Sequence, residues 1–229
     1  MILELKNVKY RWQGDHRDII DIQQLSVARQ LNTFIMGPSG CGKSTLLNLI
    51  SGVITPAEGT IHLSDTNLTK MNSSKRDKIR ADNVGYIFQQ FNLIPYLNSM
   101  ENVLLSCLFS SQRERNSIEQ GGSVEQQALK LLNGFFNDNP PDLYKPISTL
   151  SVGQQQRVAA ARALIGKPAL VIADEPTSAL DQDTKQNFMS LLLTEVKNSQ
   201  STLLFVSHDP QLSVHFDDVI KLKDINRAQ

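Results

Sequence analysis

Eight consecutive residues, Gly37-Pro38-Ser39-Gly40-Cys41-Gly42-Lys43-Ser44, fit the spacing G-x-x-x-x-G-K-[ST] of a phosphate-cradling loop. Glycines let such a backbone turn so that successive N–H groups point inward at phosphate oxygens, and the helix that follows, reaching on through Thr45, adds the partial positive charge of its N-terminus. In this arrangement Lys43 bridges the β- and γ-phosphates and the Ser44 hydroxyl ligates Mg²⁺. A second constellation lies far along the chain, where Ala169-Leu170-Val171-Ile172-Ala173 runs into Asp174-Glu175-Pro176. An apolar strand that delivers two carboxylates at its C-terminal end places them where ligands collect in parallel sheets. Asp174 suits Mg²⁺, through water, and Glu175 suits a base that polarises an attacking water. The two constellations together imply a nucleotide triphosphate held with Mg²⁺, a pattern that kinases and GTPases share.

The elements that must position these residues follow from the pattern of apolar runs. Short runs alternate with longer helical patterns, as in a sheet wound with crossover helices, which predicts an α/β fold. Ile2 to Leu5, Thr33 to Met36, Val84 to Phe88, Ala169 to Ala173, Thr202 to Ser207 and Val219 to Leu222 read as strands. Thr45 to Ile50 reads as a helix closed by Gly52, and Asp183 to Val196 as a helix with Phe188, Leu191, Leu192 and Glu195 on one stripe. Residues 1–90 and 151–229 are expected to form the α/β core, with 91–150 an inserted, mostly helical subdomain. Within the insert, Arg113 to Ser123 is polar and contains glycine, so it is expected as an exposed loop, and Asn137 to Asp142 is turn-rich.

Composition narrows the class of partner. Lys and Arg number 23, and Asp and Glu number 23, so no long-range positive field gathers nucleic acid or anionic lipid. The basic run Lys75, Arg76, Asp77, Lys78 and Arg80 lacks aromatic neighbours and reads as a solvated helix face. Two cysteines, Cys41 and Cys107, make no disulfide framework. The N-terminus alternates like a strand and carries no signal-peptide pattern, and no apolar stretch approaches the ~20 residues that span a bilayer. The expected setting is the cytoplasm, and any membrane role comes through a partner.

Leu150-Ser151-Val152-Gly153-Gln154-Gln155-Gln156-Arg157, followed by an Ala-rich helix and then by Asp174-Glu175, separates this chain from other phosphate-loop proteins. It resembles the ABC ATPase family, whose signature is Leu-Ser-Gly-Gly-Gln, and the resemblance runs nearly end to end. Ser151 is also a good helix N-cap in its own right. The resemblance implies a phosphate-loop core with a mixed sheet and a helical insert. It further implies an ATP-dependent head-to-tail homodimer enclosing two ATP, in which Ser151, Gly153 and Gln154 face the nucleotide of the other subunit. It assigns Gln89 to Mg²⁺ and the attacking water, His208 to the γ-phosphate, and Trp12 to stacking on adenine, with Tyr10 as the alternative on the same strand face. Ser178-Ala179-Leu180-Asp181 resembles the loop that communicates across the dimer. Val152 stands where the family has its first signature glycine, and Gln30 replaces a glycine common before the phosphate-loop strand. Val84 to Pro95, with Glu101-Asn102-Val103, is most similar to the ATPases of lipoprotein-release and macrolide-export systems. That similarity implies an integral membrane permease docking near Gln89 to Tyr96, on the inner face of the cell membrane. A nucleotide-gated regulatory module with negligible turnover is the alternative, motivated by Val152 alone.

Overall fold

The computed structural model of the chain describes residues 1–228. In chain order the elements are β1 (Leu3–Tyr10), β2 (Ile20–Val27), β3 (Thr33–Met36), α1 (Lys43–Ile50), β4 (Glu58–Leu63), β5 (Thr66–Asn67), α2 (Ser73–Asn83), β6 (Val84–Ile87), α3 (Ser99–Leu108), α4 (Ser111–Gly121), α5 (Val124–Phe136), α6 (Val152–Leu164), β7 (Leu170–Asp174), α7 (Gln182–Ser199), β8 (Thr202–Ser207), β9 (Asp218–Lys221) and α8 (Leu222–Ile225). Contacts gather them into two compact units, Met1–Arg80 with Thr202–Gln229, and Ala81–Ser201.

The first unit holds an antiparallel sheet in the order β2-β1-β4-β5 and three parallel strands in the order β8-β3-β9. These mixed directions are those of an α/β fold with a mixed sheet. The sequence reading lacks β2, β4 and β5. Yet β2 shows its period plainly, because Ile20, Ile22, Leu25 and Val27 are buried while Gln23 and Gln24 face solvent. The step between Ile22 and Leu25 breaks strict alternation. In β1 the same break falls at Asn7, whose φ is 50°, where the register against β4 shifts between Lys6 and Lys9. A bulge of this kind shifts the inward set from Leu3 and Leu5 to Val8. β3 and β8 are buried on both faces, which explains their near-continuous apolar sequence. Phe34 stacks on Phe205 at 5.9 Å between ring centroids, and Phe216 closes on both at 5.2 Å.

The second unit pairs β6 and β7 in parallel and carries helices α3 to α7. The expected loop at Arg113 to Ser123 is overturned, because Ser111–Gly121 is α4, N-capped by Ser110 and stopped at Gly122 with a φ of 80°. Its inward face consists of Arg113 and Ser117, both buried, so no apolar stripe marked it. The stripe on α7 is also shifted: Phe188, Met189, Leu192 and Val196 are buried, whereas Leu191 and Glu195 are half-buried. Burial pushes the Glu195 carboxyl above its ordinary range. The polar helix α2 buries no residue, as its charge pattern predicts. Among the described residues, no helix is long and apolar enough to cross a membrane.

Candidate active site

In the first unit the phosphate loop leaves the C-terminal end of β3 and enters α1 at Lys43. Gly40 and Gly42 have φ of 81° and 96°, a region that residues with a Cβ rarely enter. Gly42 caps α1 with no side-chain bond, so the helix start is made of backbone alone. Lys43 is buried and turns back over the loop, donating from Nζ to the carbonyls of Gly37 at 2.7 Å and Pro38 at 2.9 Å. Thr45 is buried beneath it, while Ser39, Gly40 and Ser44 face solvent and Cys41 is half-exposed. A Cβ built on Gly40 meets no atom within 4 Å, so the space beside the loop there is open. Met36 of β3 lies level with Ser207 of β8, so Gly37 and His208 leave the same edge of adjacent parallel strands.

Trp12 lies beyond the end of β1, not on it, in a turn where its carbonyl accepts from the Asp15 N–H at 3.0 Å. Its ring is 42% exposed and stands edge-on to Tyr10 at 5.1 Å, while Val8 is fully buried. Of that trio Trp12 is exposed, Tyr10 half-buried and Val8 buried. Gln30 takes a φ of 60°, the glycine-like conformation its position demands, and its N–H is anchored to Thr202 Oγ1 at 2.8 Å.

In the second unit, Ile87 of β6 lies level with Ala173 of β7. Phe88 and Gln89 therefore leave the sheet beside Asp174 and Glu175, at the carboxyl ends of parallel strands. Burial, with the charge of Asp174 as a second cause, raises the Tyr86 phenol far above its ordinary range. Glu175 has a φ of 43°. A non-glycine residue held there stores about 1–3 kcal/mol of strain, which persists only where the surroundings enforce it.

Sequence reasoning missed the residues that hold the segment from Gln89 to Tyr96. Phe91 and Asn92 both have positive φ, 58° and 49°. Arg162 of α6 clamps their carbonyls with two bonds of 2.6 Å. Asn102, buried in α3, accepts from the Ile94 N–H at 2.8 Å and donates back to the Ile94 carbonyl at 3.1 Å. The available signal is an amide among apolar neighbours: Met100, Val103 and Cys107 are all buried on the same helix. Phe88 stacks on Tyr86 at 4.1 Å, and Tyr96 is 79% exposed.

Ser151 caps α6 in a capping box, accepting from the Gln154 N–H at 3.3 Å while Gln154 Oε1 accepts from the Ser151 N–H at 2.9 Å. Val152 opens the helix, 48% exposed and outside the set of positive-φ residues, so valine meets no backbone conflict there. The N–H groups of Val152 and Gly153 belong to the first turn and find no acceptor within the helix. At the other end, Arg113 of α4 donates to the carbonyls of Ile165 at 2.8 Å and Ala163 at 2.6 Å, and Ser106 of α3 donates to that of Arg162 at 2.9 Å. Burial pushes both Arg113 and Arg162 down to about 10, so each remains charged at neutral pH. Asp181 caps α7, and the Thr184 N–H bonded to it holds its carboxyl below the ordinary range.

The ABC transporter family profile matches residues 20–178. The chain is 36% identical over 225 residues to an uncharacterized ABC transporter ATP-binding protein, MJ0796, of Methanocaldococcus jannaschii, covering 97% of this chain and 94% of that one. It is 35% identical over 201 residues to LolD, the lipoprotein-releasing system ATP-binding protein of Legionella pneumophila, covering 87% and 84% of the two chains. MacB, the macrolide export ATP-binding/permease protein of Campylobacter jejuni, matches at 39% over 201 residues, 87% of this chain but 30% of MacB. This chain thus spans under a third of that relative. A solved dimeric structure of MJ0796 in a post-hydrolysis state, bound to ADP and Pi, superposes with a TM-score of 0.80 at 32% identity, covering 96% and 94% of the two chains.

Proposed function

We propose, from the premise that this chain belongs to the ABC transporter family and is an ATP-binding, ATP-hydrolysing cassette of it, that two copies close head-to-tail around two ATP and thereby drive a membrane-embedded permease. The observation that carries this reading is the start of α6. Ser151 and Val152 are exposed there and present a capped helix N-terminus, an anion site that nothing in its own helix fills. A second copy supplies the anion, because a head-to-tail pair sets this turn against the γ-phosphate held by the other subunit.

In this reading residues 1–90 and 151–229 form the nucleotide-binding core, and 91–150 the helical subdomain. The backbone N–H groups between Gly37 and Thr45, except at Pro38, which has none, and the Lys43 ammonium hold the phosphates, and the exposed Trp12 stacks on adenine. The residues that would hold Mg²⁺ are Ser44, Gln89 and, through water, Asp174, whose oxygen donors suit a hard cation. The ion would neutralise charge on the β- and γ-phosphates. Glu175 draws the proton of the attacking water, which Gln89 also orients, and His208 bonds the γ-phosphate. Ser151, Gly153 and Gln154 of the partner subunit close the site.

The segment Gln89 to Tyr96 receives the permease. Arg162 and Asn102 hold it in a fixed shape while Tyr96 stays exposed, which suits a seat for a short helix. Kinship with LolD and MacB supports a lipoprotein-release, export or mechanotransmission type at the cytoplasmic face of the membrane. The alternative, a gated module without turnover, rests on Val152, and the ordinary helical backbone of that residue counts against a conformational conflict there.

ATP turnover by purified protein at several concentrations, beside Glu175→Gln, tests the reading. Specific activity that rises with concentration and falls roughly 10²–10⁴-fold in the variant is expected. Concentration-independent turnover would refute the dimeric site, and a fully active variant would refute the assignment of the base.

A further inference from the structure

The strained backbone of Glu175 needs something to hold it, and the turn that follows shows what does. The Ser178 N–H donates to the Glu175 carbonyl at 3.2 Å, closing a turn through Pro176 and the buried Thr177. Gln156, in the second turn of α6 and fully buried, donates from Nε2 to the Pro176 carbonyl at 2.6 Å. A carbonyl can only accept, so the amide nitrogen must face it. Gln156 Oε1 is buried as well, and among the described residues it has no hydrogen-bond partner.

That combination is informative. A buried primary amide with one orphaned oxygen is a costly occupant for a helix face whose neighbours, Val158, Ala159 and Ala160, are fully buried and apolar. A leucine would remove the orphaned oxygen, but it would also take this donor away from the Pro176 carbonyl. What the amide alone supplies is the bond to the turn that carries Glu175.

We infer that Gln156 is a positioning residue for ATP hydrolysis: through the Pro176 carbonyl it fixes the left-handed turn that aims the Glu175 carboxylate at the attacking water. The inference rests on the reading of Glu175 as the general base. It also joins two functions in one helix, because the α6 that offers Ser151 to a partner's nucleotide is bonded by Gln156 to the carboxylate turn of its own chain.

The test compares the full-length wild type with Gln156→Leu, Gln156→Glu and Glu175→Gln, measuring kcat, equilibrium ATP affinity and thermal midpoint. Gln156→Leu should lower kcat on the order of 10–100-fold while ATP affinity stays within about twofold, as for an interaction that matters only in the reacting complex. Gln156→Glu supplies the direct check. Ionised, its carboxylate sets oxygen against oxygen; protonated, it can donate to the Pro176 carbonyl as the amide does. Its kcat relative to wild type should therefore rise as pH is lowered. Unchanged kcat in Gln156→Leu, with Glu175→Gln crippled, would overturn the inference and leave the base assignment intact. Parallel loss of kcat, affinity and thermal midpoint, with no recovery of Gln156→Glu at low pH, would overturn it in favour of a purely structural role. Wild-type turnover by Glu175→Gln would remove the base assignment itself, and the inference with it.

Discussion

The loop after β3 and the first turn of α6 both offer backbone N–H groups to an anion, yet they are built from opposite materials. The loop is shaped by glycine backbone, with Gly42 capping α1 without any side-chain bond and Lys43 folded onto the loop's own carbonyls. The helix is shaped by side chains: a Ser151 and Gln154 capping box at one end, and Arg113 and Ser106 from two other helices at the other. A site made of backbone is concentrated in one short stretch and fails at single positions. A site made of tethers spreads its energy over several residues and several elements.

Substitutions can break or sharpen that contrast. The largest effect is expected from Gly42→Val, which puts a Cβ at a φ of 96° and within 3.1 Å of Ile20 Cδ1. ATP affinity, followed by calorimetric titration, should fall by at least about 100-fold, since the strain of about 1–3 kcal/mol comes with loss of the loop's shape. Retained binding would break the contrast outright. Arg113→Met comes next and should act on stability rather than on the nucleotide. It leaves the Ile165 and Ala163 carbonyls without their donor, costing about 3 kcal/mol. In a chain of this size that lowers the thermal midpoint by about 6–12 °C, while ATP affinity stays within about threefold.

Arg162→Lys keeps the charge but cannot reach both carbonyls of Phe91 and Asn92 from one planar group. Amide hydrogen exchange should quicken about fivefold between Phe91 and Leu97, for a loss of about 1 kcal/mol, with α1 unaffected. Val152→Gly should do least, changing turnover by under about threefold, because the valine already occupies an ordinary helical backbone. A large rise in turnover would show that the side chain, 48% exposed, obstructs the dimer face.

Legibility from the sequence follows the same division. Gly37 to Ser44 was readable because a phosphate loop needs fixed residues at fixed local spacing, and Thr33–Met36 and Thr202–Ser207 were readable because strands buried on both faces are continuously apolar. α4 was not, because its inward face is Arg113 and Ser117, and only the distant carbonyls they meet make those residues suitable for burial. Asn102, Gln156 and Arg162 were hidden for the same reason: each bonds a backbone group 8 to 71 positions away.

By itself, then, the sequence determined the nucleotide chemistry, the α/β class and the family, since these depend on residue type and on spacing within a few positions. Tertiary structure alone decided which polar residues are buried, why Glu175 can hold a φ of 43°, and how the segment after β6 is fixed to α6. Hydrogen bonds between distant segments exist only after the chain has closed on itself, and until then a buried arginine and a solvated one are written with the same letter.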